Sequence, residues 1–455
     1  MNFIVIGDCI LDHNIYTIVQ TPKRIDYNTE YNIIREEYKL GACGNLVTNL
    51  QSLGANKVFL FSAIGDDMAG RRMSDMANSF NIGNFLKIVP SYNTTVKHRY
   101  YHDNKCIFQT ANHINKELLL PISLCDEIEQ VLIHTKIDCI VLCESEKSSI
   151  GLLSIPHCQQ IIALATKYNI PTMVDPKEDI HKYRGCTIIK PNRDEAYALM
   201  NMSNDTPLMD VHNAILQQLQ CKYSYITLSE QGISIYDGKD ELRDKCHDEL
   251  IVVDPIGAGD IITSITALLL NKVDMKDSAH IAVNMASKSV EKTGVVTVSN
   301  CDIVNFCFTS KHIQLNELPM LRTIFHNKKI GITTGCFDLL HNGHILSLGW
   351  CKENCDILVV CLNSDESIQH LKGKQRPIQS IDRRLSALTA LDIVDYIIVF
   401  DQPTAIEIIK TLKPNILMKG GDYRDKHMLE SDFVDTTLIG PYLDGVSTTN
   451  IIKNM

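Results

Sequence analysis

The sequence has no excess of positive charge. Forty-four lysines and arginines stand against 54 aspartates and glutamates, a net charge of −10. With no basic stripe along the chain, nucleic acid is excluded as a partner, while a local cationic pocket for phosphates stays open. No apolar run approaches the ~20 residues that span a bilayer, which excludes a membrane partner. The start, MNFIVIGDCILDH, reaches Asp8 without a basic leader, as expected of a chain with no signal peptide. Sixteen cysteines are scattered; Cys351 and Cys355 have metal-like spacing but no second pair or nearby histidines to complete a zinc site. Free thiols suit a reducing cytosol, so the expected location is cytoplasmic. There is no internal repeat and no low-complexity tract.

What remains is an ordinary globular balance, 45% hydrophobic and 22% charged, in a length that suits two or three domains. Short apolar runs at 3–7, 57–64, 138–143, 171–175, 186–190 and 223–228 read as buried strands, with helix-like stretches such as 157–169 between them. Continuous apolar strands alternating with helices predict a mostly parallel sheet covered on both faces. The alternation breaks near residue 300. Residues 310–328 read as a helical or irregular linker, and a fresh α/β pattern begins at 329–335 and continues through 356–362, 394–400 and 415–418. The expected domains are therefore 1–309 and 329–455.

In the first block, Asp254-Pro-Ile-Gly-Ala-Gly-Asp260 precedes an apolar helix. Gly257, Ala258 and Gly259 can aim backbone N–H groups at one spot at a helix start, a nest for charge on a transferring phosphoryl group. Asp260 in that first turn is placed to take the proton of an attacking hydroxyl. A plain strand-to-helix turn carrying a carboxylate would show the same short string. Asn192-Arg193-Asp194-Glu195 offers an amide and a carboxylate on one helix face, hard oxygen ligands suited to Mg²⁺ held through water at Glu195, or equally a capped helix start. Ser229 to Gly232 gives a turn that can lie against nucleotide. Asp8, Asp12, Gly41 and Asn45 sit at strand ends and a helix start where sugar hydroxyls can bind, or in a solvated loop.

Together these strings resemble the ribokinase-like sugar kinases over about residues 1–305. The resemblance implies a doubly wound sheet with a small lid. It implies Asp260 as catalytic base and Gly257, Ala258 and Gly259 as the anion hole. Asn192, Arg193, Asp194, Glu195, Ser229 and Gly232 would lie at Mg²⁺ and ATP, and Asp8, Asp12, Gly41 and Asn45 at the sugar.

The second block carries Thr334-Gly335-Cys-Phe337-Asp338-Leu-Leu-His341-Asn-Gly-His344. Two histidines three apart at a helix start share a face and can donate hydrogen bonds to phosphate as pyrophosphate leaves. They could also be half of a metal site, but no third ligand has a supportive spacing. Further along, Asn363, Asp365, Lys372, Arg376, Arg384, Lys419, Gly420 and Asp422, then Ser447, Thr448 and Thr449, set glycines and small polar residues beside cations that can neutralise a triphosphate. Any one of these cations can equally be solvated surface. This block resembles the cytidylyltransferase-like nucleotidyltransferases, with a Rossmann-like fold, over about 329–455. That resemblance implies His341 and His344 as transition-state stabilisers and Ser447 to Thr449 as phosphate contacts.

The order of the two blocks resembles the bifunctional heptose 7-phosphate kinase/heptose 1-phosphate adenylyltransferases of lipopolysaccharide precursor synthesis. It implies ATP as a substrate twice, sugar phosphates as partners and a homodimer. The kinase half departs from that pattern. Ala42 stands for a second glycine, Ile256 for a threonine, Glu144-Ser-Glu-Lys147-Ser for Asp-Tyr-Ala-Lys-Gly, and Lys23 to Glu30 lacks a serine-proline run. Phosphoryl-transfer residues are kept while sugar-facing ones drift. Another sugar, CTP in the second reaction, or a weak kinase half kept as a dimerisation scaffold are the alternatives.

Overall fold

The computed structural model describes residues 1–19, 31–80, 82–90, 92–103, 105–112, 123–145, 153–246, 250–424 and 428–440. Residues 23–30, Lys147 and Ser447 to Thr449 fall outside them. The chain divides into two compact units, Met1–Ile303 and Val304–Met455.

In the first unit the strands are β1 (Asn2–Gly7), β2 (Cys9–Val19), β3 (Tyr31–Ala42), β4 (Lys57–Gly65), β5 (Gly83–Val89), β6 (Val96–His102), β7 (Lys105–Ala111), β8 (Cys139–Cys143), β9 (Thr172–Asp175), β10 (Ile188–Ile189), β11 (Tyr223–Thr227), β12 (Ile233–Tyr236) and β13 (Glu241–Asp244). Nine of them form one sheet in the order β13-β12-β11-β10-β9-β8-β1-β4-β5. It is parallel except at the β11-β12-β13 end. Phe3 to Ile6 and Cys139 to Leu142 are buried throughout, as central strands covered on both faces require. Four strands, ordered β3-β2-β6-β7, make a separate small sheet, the lid. The β1–β2 step at Asp8 carries the chain into it, and the β3–helix step at Ala42 carries the chain back out. The lid sheet combines two antiparallel pairs with a parallel β2–β6 pair.

The second unit holds β14 (Ile330–Gly335), β15 (Ile357–Asn363), β16 (Tyr396–Phe400), β17 (Ile416–Lys419) and β18 (Thr436–Ile439), all parallel, in the order β16-β15-β14-β17-β18. Alternation along β15 shows why its apolar run is unbroken. Leu358, Val360 and Leu362 enter the core on one face, and Val359 and Cys361 the core on the other.

The segment 310–328, read from sequence as a linker, is packed into this second unit. Ile313 N donates to Ile397 O (2.9 Å) and Ile397 N to Lys311 O (2.7 Å) at the sheet edge. The helix Leu318–Ile324 buries Leu318, Leu321 and Ile324 completely. The sequence lacked a motif there because packing, not chemistry, is its role. Each such side chain contributes about 1.5–3 kcal/mol by burial, so the set is comparable with the roughly 5–15 kcal/mol that holds a domain together. A fragment beginning at Val304 is therefore expected to be soluble and to melt cooperatively. One beginning at Lys329 is expected to aggregate or melt far lower. Equal thermal transitions for the two fragments would refute this.

Candidate active sites

In the first unit, the C-terminal ends of β8 and β9 and the start of the helix Ala258–Leu269 converge on a cavity of about 640 Å³. Gly257, the residue before that helix, has φ +84°, a left-handed turn that glycine adopts without strain. Asp254 fixes the approach: its Oδ1 accepts from Ile256 N (3.1 Å) and its Oδ2 from Gly294 N (2.9 Å) and Tyr101 Oη (3.2 Å). The first-turn N–H groups, lacking partners four residues back, face the site with the positive end of the helix dipole.

Asp260 lies in that turn and accepts from Asn45 Nδ2 at 2.7 Å. Removal from water is the main force lifting its carboxyl to about 7; Asp175 and Asp12 push the same way, while the Asn45 bond and Lys190 oppose. Lys190 Nζ is 3.0 Å from Asp175 Oδ2. Cys143, Asp175 and Asp260 bring ligand atoms within 4.8 Å of one another.

Glu195 and Asn192 form a reciprocal cap, Asn192 Oδ1 accepting from Glu195 N and Glu195 Oε2 from Asn192 N, both at 2.8 Å. Glu195 Oε1 meets Lys177 Nζ at 2.5 Å. Both carboxylate oxygens thus have protein partners. The set suits a hard divalent ion held through its water shell rather than by direct ligation.

Of the residues expected from sequence, Asp12, Asn45, Asn192, Glu195, Ser229, Gly232, Gly257, Ala258, Gly259 and Asp260 line this cavity. Asp8 does not. It is buried between the two sheets' junction and β8, and its Oδ2 accepts from Ser145 N (3.2 Å) and Oγ (3.3 Å). Arg193 and Asp194 are exposed on the helix Arg193–Leu199 and point elsewhere. Gly41 stands behind Asp12: a Cβ there would fall 2.5 Å from Asp12 Oδ2. Four cations of the wall, Lys97, Arg99, Lys177 and Lys190, received no role from sequence. Lys177 and Lys190 belong to short strings that were visible. Lys97 and Arg99 sit in KHRYYH, which carries no local signal.

In the second unit, His341 caps the helix Asn342–Glu353 and His344 lies in its first turn. Their rings stack at 3.8 Å, with Phe337 5.1 Å from His344. Burial, then the charges of His341 and Lys372, push His344 down to about 4; burial lowers His341 as well. Both are neutral at pH 7, each with one N–H to donate. Among the described residues no third metal-binding side chain joins them.

The neighbouring expected residues build the frame. Asp338 Oδ1 accepts from Ile378 N (2.7 Å) and Gln379 N (2.9 Å), and its Oδ2 forms an ion pair with Arg376 Nε at 2.7 Å. Arg384, expected at the triphosphate, is instead an internal strut. Fully buried, it donates to Gln379 O (3.0 Å), Cys336 O (2.8 Å), Asn363 O (2.7 Å) and Asp365 Oδ1 (2.6 Å). That occupies four of the five N–H groups of a guanidinium. Arg376 is likewise held by Asp338. Asn363 donates to Ser367 Oγ (3.0 Å). Lys419 contacts Thr334 Oγ1 and lies 3.5 Å from Glu430. Gly335 leaves room for the ring of Phe337, 2.8 Å from where a Cβ would stand. Gly420 precedes the short turn Gly421–Tyr423 that contains Asp422. Lys372 is exposed at the end of the helix Asp365–Lys372.

A doubly wound sheet with a lid over a GAGD turn, followed by a parallel sheet with an HxGH helix start, defines a carbohydrate kinase fused to a nucleotidyltransferase. Residues 3–301 match the pfkB family of carbohydrate kinases, and residues 332–453 match the cytidylyltransferase-like family. The first unit resembles ribokinase from Giardia lamblia (TM-score 0.55, 16% identity, 67% of this chain and 98% of that one). It also resembles phosphofructokinase-2 from Escherichia coli in complex with substrates and products (TM-score 0.54, 18% identity, 67% and 97%). Both likenesses are of fold. Over the whole chain, the "Bifunctional protein HldE" of Campylobacter concisus is 34% identical (100% of this chain, 97% of that one) and that of Aliarcobacter butzleri 32% (100% and 97%). The chain belongs to this family of bifunctional kinase–nucleotidyltransferases.

Proposed function

We propose that the first unit transfers the γ-phosphoryl group of ATP to the C1 hydroxyl of a heptose 7-phosphate, and that the second joins AMP from a second ATP to the resulting heptose 1-phosphate, once its 7-phosphate has been removed, releasing pyrophosphate. The observation carrying the kinase step is Asp260. Its carboxyl is set near 7 within the same turn as Gly257 to Gly259, so proton acceptor and phosphoryl cradle stand together. The acceptor hydroxyl gives its proton to Asp260 as its oxygen bonds to phosphorus, and ADP departs. Asn45 orients the carboxylate, and Lys190 balances charge at the site. Mg²⁺, held through water near Glu195, would screen the charge of the triphosphate. In the transferase step the sugar-phosphate oxygen attacks the α-phosphorus, and the N–H groups of His341 and His344 meet the charge building on pyrophosphate.

The enzyme acts in the cytoplasm as a homodimer. Ile33, Ile34 and Phe108 leave 55%, 60% and 49% of their surface exposed on the lid sheet, apolar area that pairing of two lids would cover.

The test supplies each sugar phosphate with ATP and follows ADP and pyrophosphate separately against pH. A base must be ionised, so kinase kcat/KM, which reports the free enzyme, should fall tenfold per unit below about pH 7 and level off above it. Both histidines titrate below their usual range, so transferase kcat/KM should stay flat from about pH 7 to 8. Failure to form ADP from heptose 7-phosphate would reject the kinase reading; CTP outperforming ATP would reject adenylyl transfer.

A further inference from the structure

We infer that Tyr101 of lid strand β6 is a positioning residue for phosphoryl transfer: its phenol ties the lid to Asp254 and so holds the backbone cradle of Gly257 to Gly259 in line. This deepens the kinase reading and rests on it for the reaction that the cradle serves.

Asp254 opens the turn that leads into the cradle, and it is buried. A buried carboxylate must have its oxygens met. Among the described residues Asp254 is met by three neutral donors and by no cation. Its Oδ1 accepts from Ile256 N (3.1 Å), inside the turn itself. Its Oδ2 accepts from Gly294 N (2.9 Å) and from Tyr101 Oη (3.2 Å). Of those three donors, only Tyr101 comes from the lid, 153 residues away along the chain.

The lid holds that phenol in place. Residues two apart on a strand share a face. Asn14 and Tyr16 of β2 do so, and Tyr16 stands opposite Tyr101 in register, the two rings stacked at 5.2 Å. Thr17 Oγ1 donates to Tyr101 O (2.9 Å). Tyr101 is 1% exposed. Burial, then the Asp254 charge, push its ionisation up, so the O–H stays a donor throughout the neutral range. The lid meets the same segment elsewhere. A Cβ on Gly294 would stand 3.7 Å from Asn14 Nδ2, Tyr16 Oη and Tyr101 Oη alike, and Lys39 Nζ of β3 donates to Val295 O (2.8 Å). Strand β6 also carries Arg99, which lines the cavity and pairs with Asp12. One lid strand therefore lines the sugar space and steadies the turn that carries the phosphoryl cradle. Displacing such a cradle by ~1 Å costs about 10²-fold in rate.

Tyr101→Phe keeps the stacked ring and removes only the hydroxyl, so the full-length variant should still fold and melt cooperatively. Its kinase kcat should fall about 10–100-fold, the scale of one hydrogen bond to a charged group. KM for sugar and for ATP should change little, because alignment counts in the transition state. Pyrophosphate release, which belongs to the other unit, should not change. Amide hydrogen exchange of the full chain without ligands separates positioning from packing. Exchange should quicken about 10–100-fold at residues 253–260, far along the chain from the substitution, and not in the central strands β1 and β8. Full kinase turnover in the variant, unchanged exchange at 253–260, or faster exchange throughout the unit would overturn the inference. Quicker exchange confined to 253–260, in a chain whose parent forms no ADP from heptose 7-phosphate, would leave the tie between lid and turn standing while rejecting the kinase reading.

Discussion

Asp260→Asn should lower ADP formation by about 10²–10⁴-fold, the usual loss when a positioned general base is removed. The loss should be chemical rather than structural. Asn45 Nδ2 donates 2.7 Å to Asp260 Oδ2, and the carbonyl oxygen of an asparagine can accept that same bond. Pyrophosphate release from supplied heptose 1-phosphate should be unchanged, because the transferase site lies in the other unit. Stability supplies a second, opposite readout. The folded-state carboxyl is raised from its ordinary 3.8 to about 7, so ionising it works against the fold. That penalty is absent below about pH 4, grows between pH 4 and 7, and is complete above. Asp260→Asn should thus melt higher than the parent at pH 8 and equally at pH 4. A folded variant with full kinase turnover would remove Asp260 from the mechanism.

His341→Ala and His344→Ala should each cost about 10²–10³-fold in pyrophosphate release, the scale for losing one preorganised donor. Donors that engage charge as it builds act on the transition state, so kcat should fall more than KM rises. The two losses should not add, because the rings stack at 3.8 Å and share one site. Kinase turnover should not change. Metal analysis belongs in the same experiment: stoichiometric zinc in the parent that both variants lose would replace the phosphate-donor reading with a metal site. Full transferase activity in both would reject any catalytic part for them.

By itself the sequence determined the two mostly parallel sheets and the chemical turns. Strands buried on both faces must be apolar throughout, as at Phe3 to Ile6 and Leu358 to Leu362. A backbone cradle needs glycines at fixed places, as at Gly257 and Gly259. Both constraints are local and leave a local trace. Only the tertiary structure decided how the cations are used. Nothing in the spacing of Arg376 and Arg384 separates a phosphate ligand from a strut. Arg384 became a strut because Cys336, Gln379, Asn363 and Asp365, from separate places in the chain, converge on it. Lys97 and Arg99 had no motif, yet β2–β6 pairing sets them beside Asp12 at the cavity wall. Residues 318–324 carried no chemistry, but their leucines fill a core. In each case the deciding partner is distant along the chain, and the charge or area it satisfies appears only when the fold brings the two together.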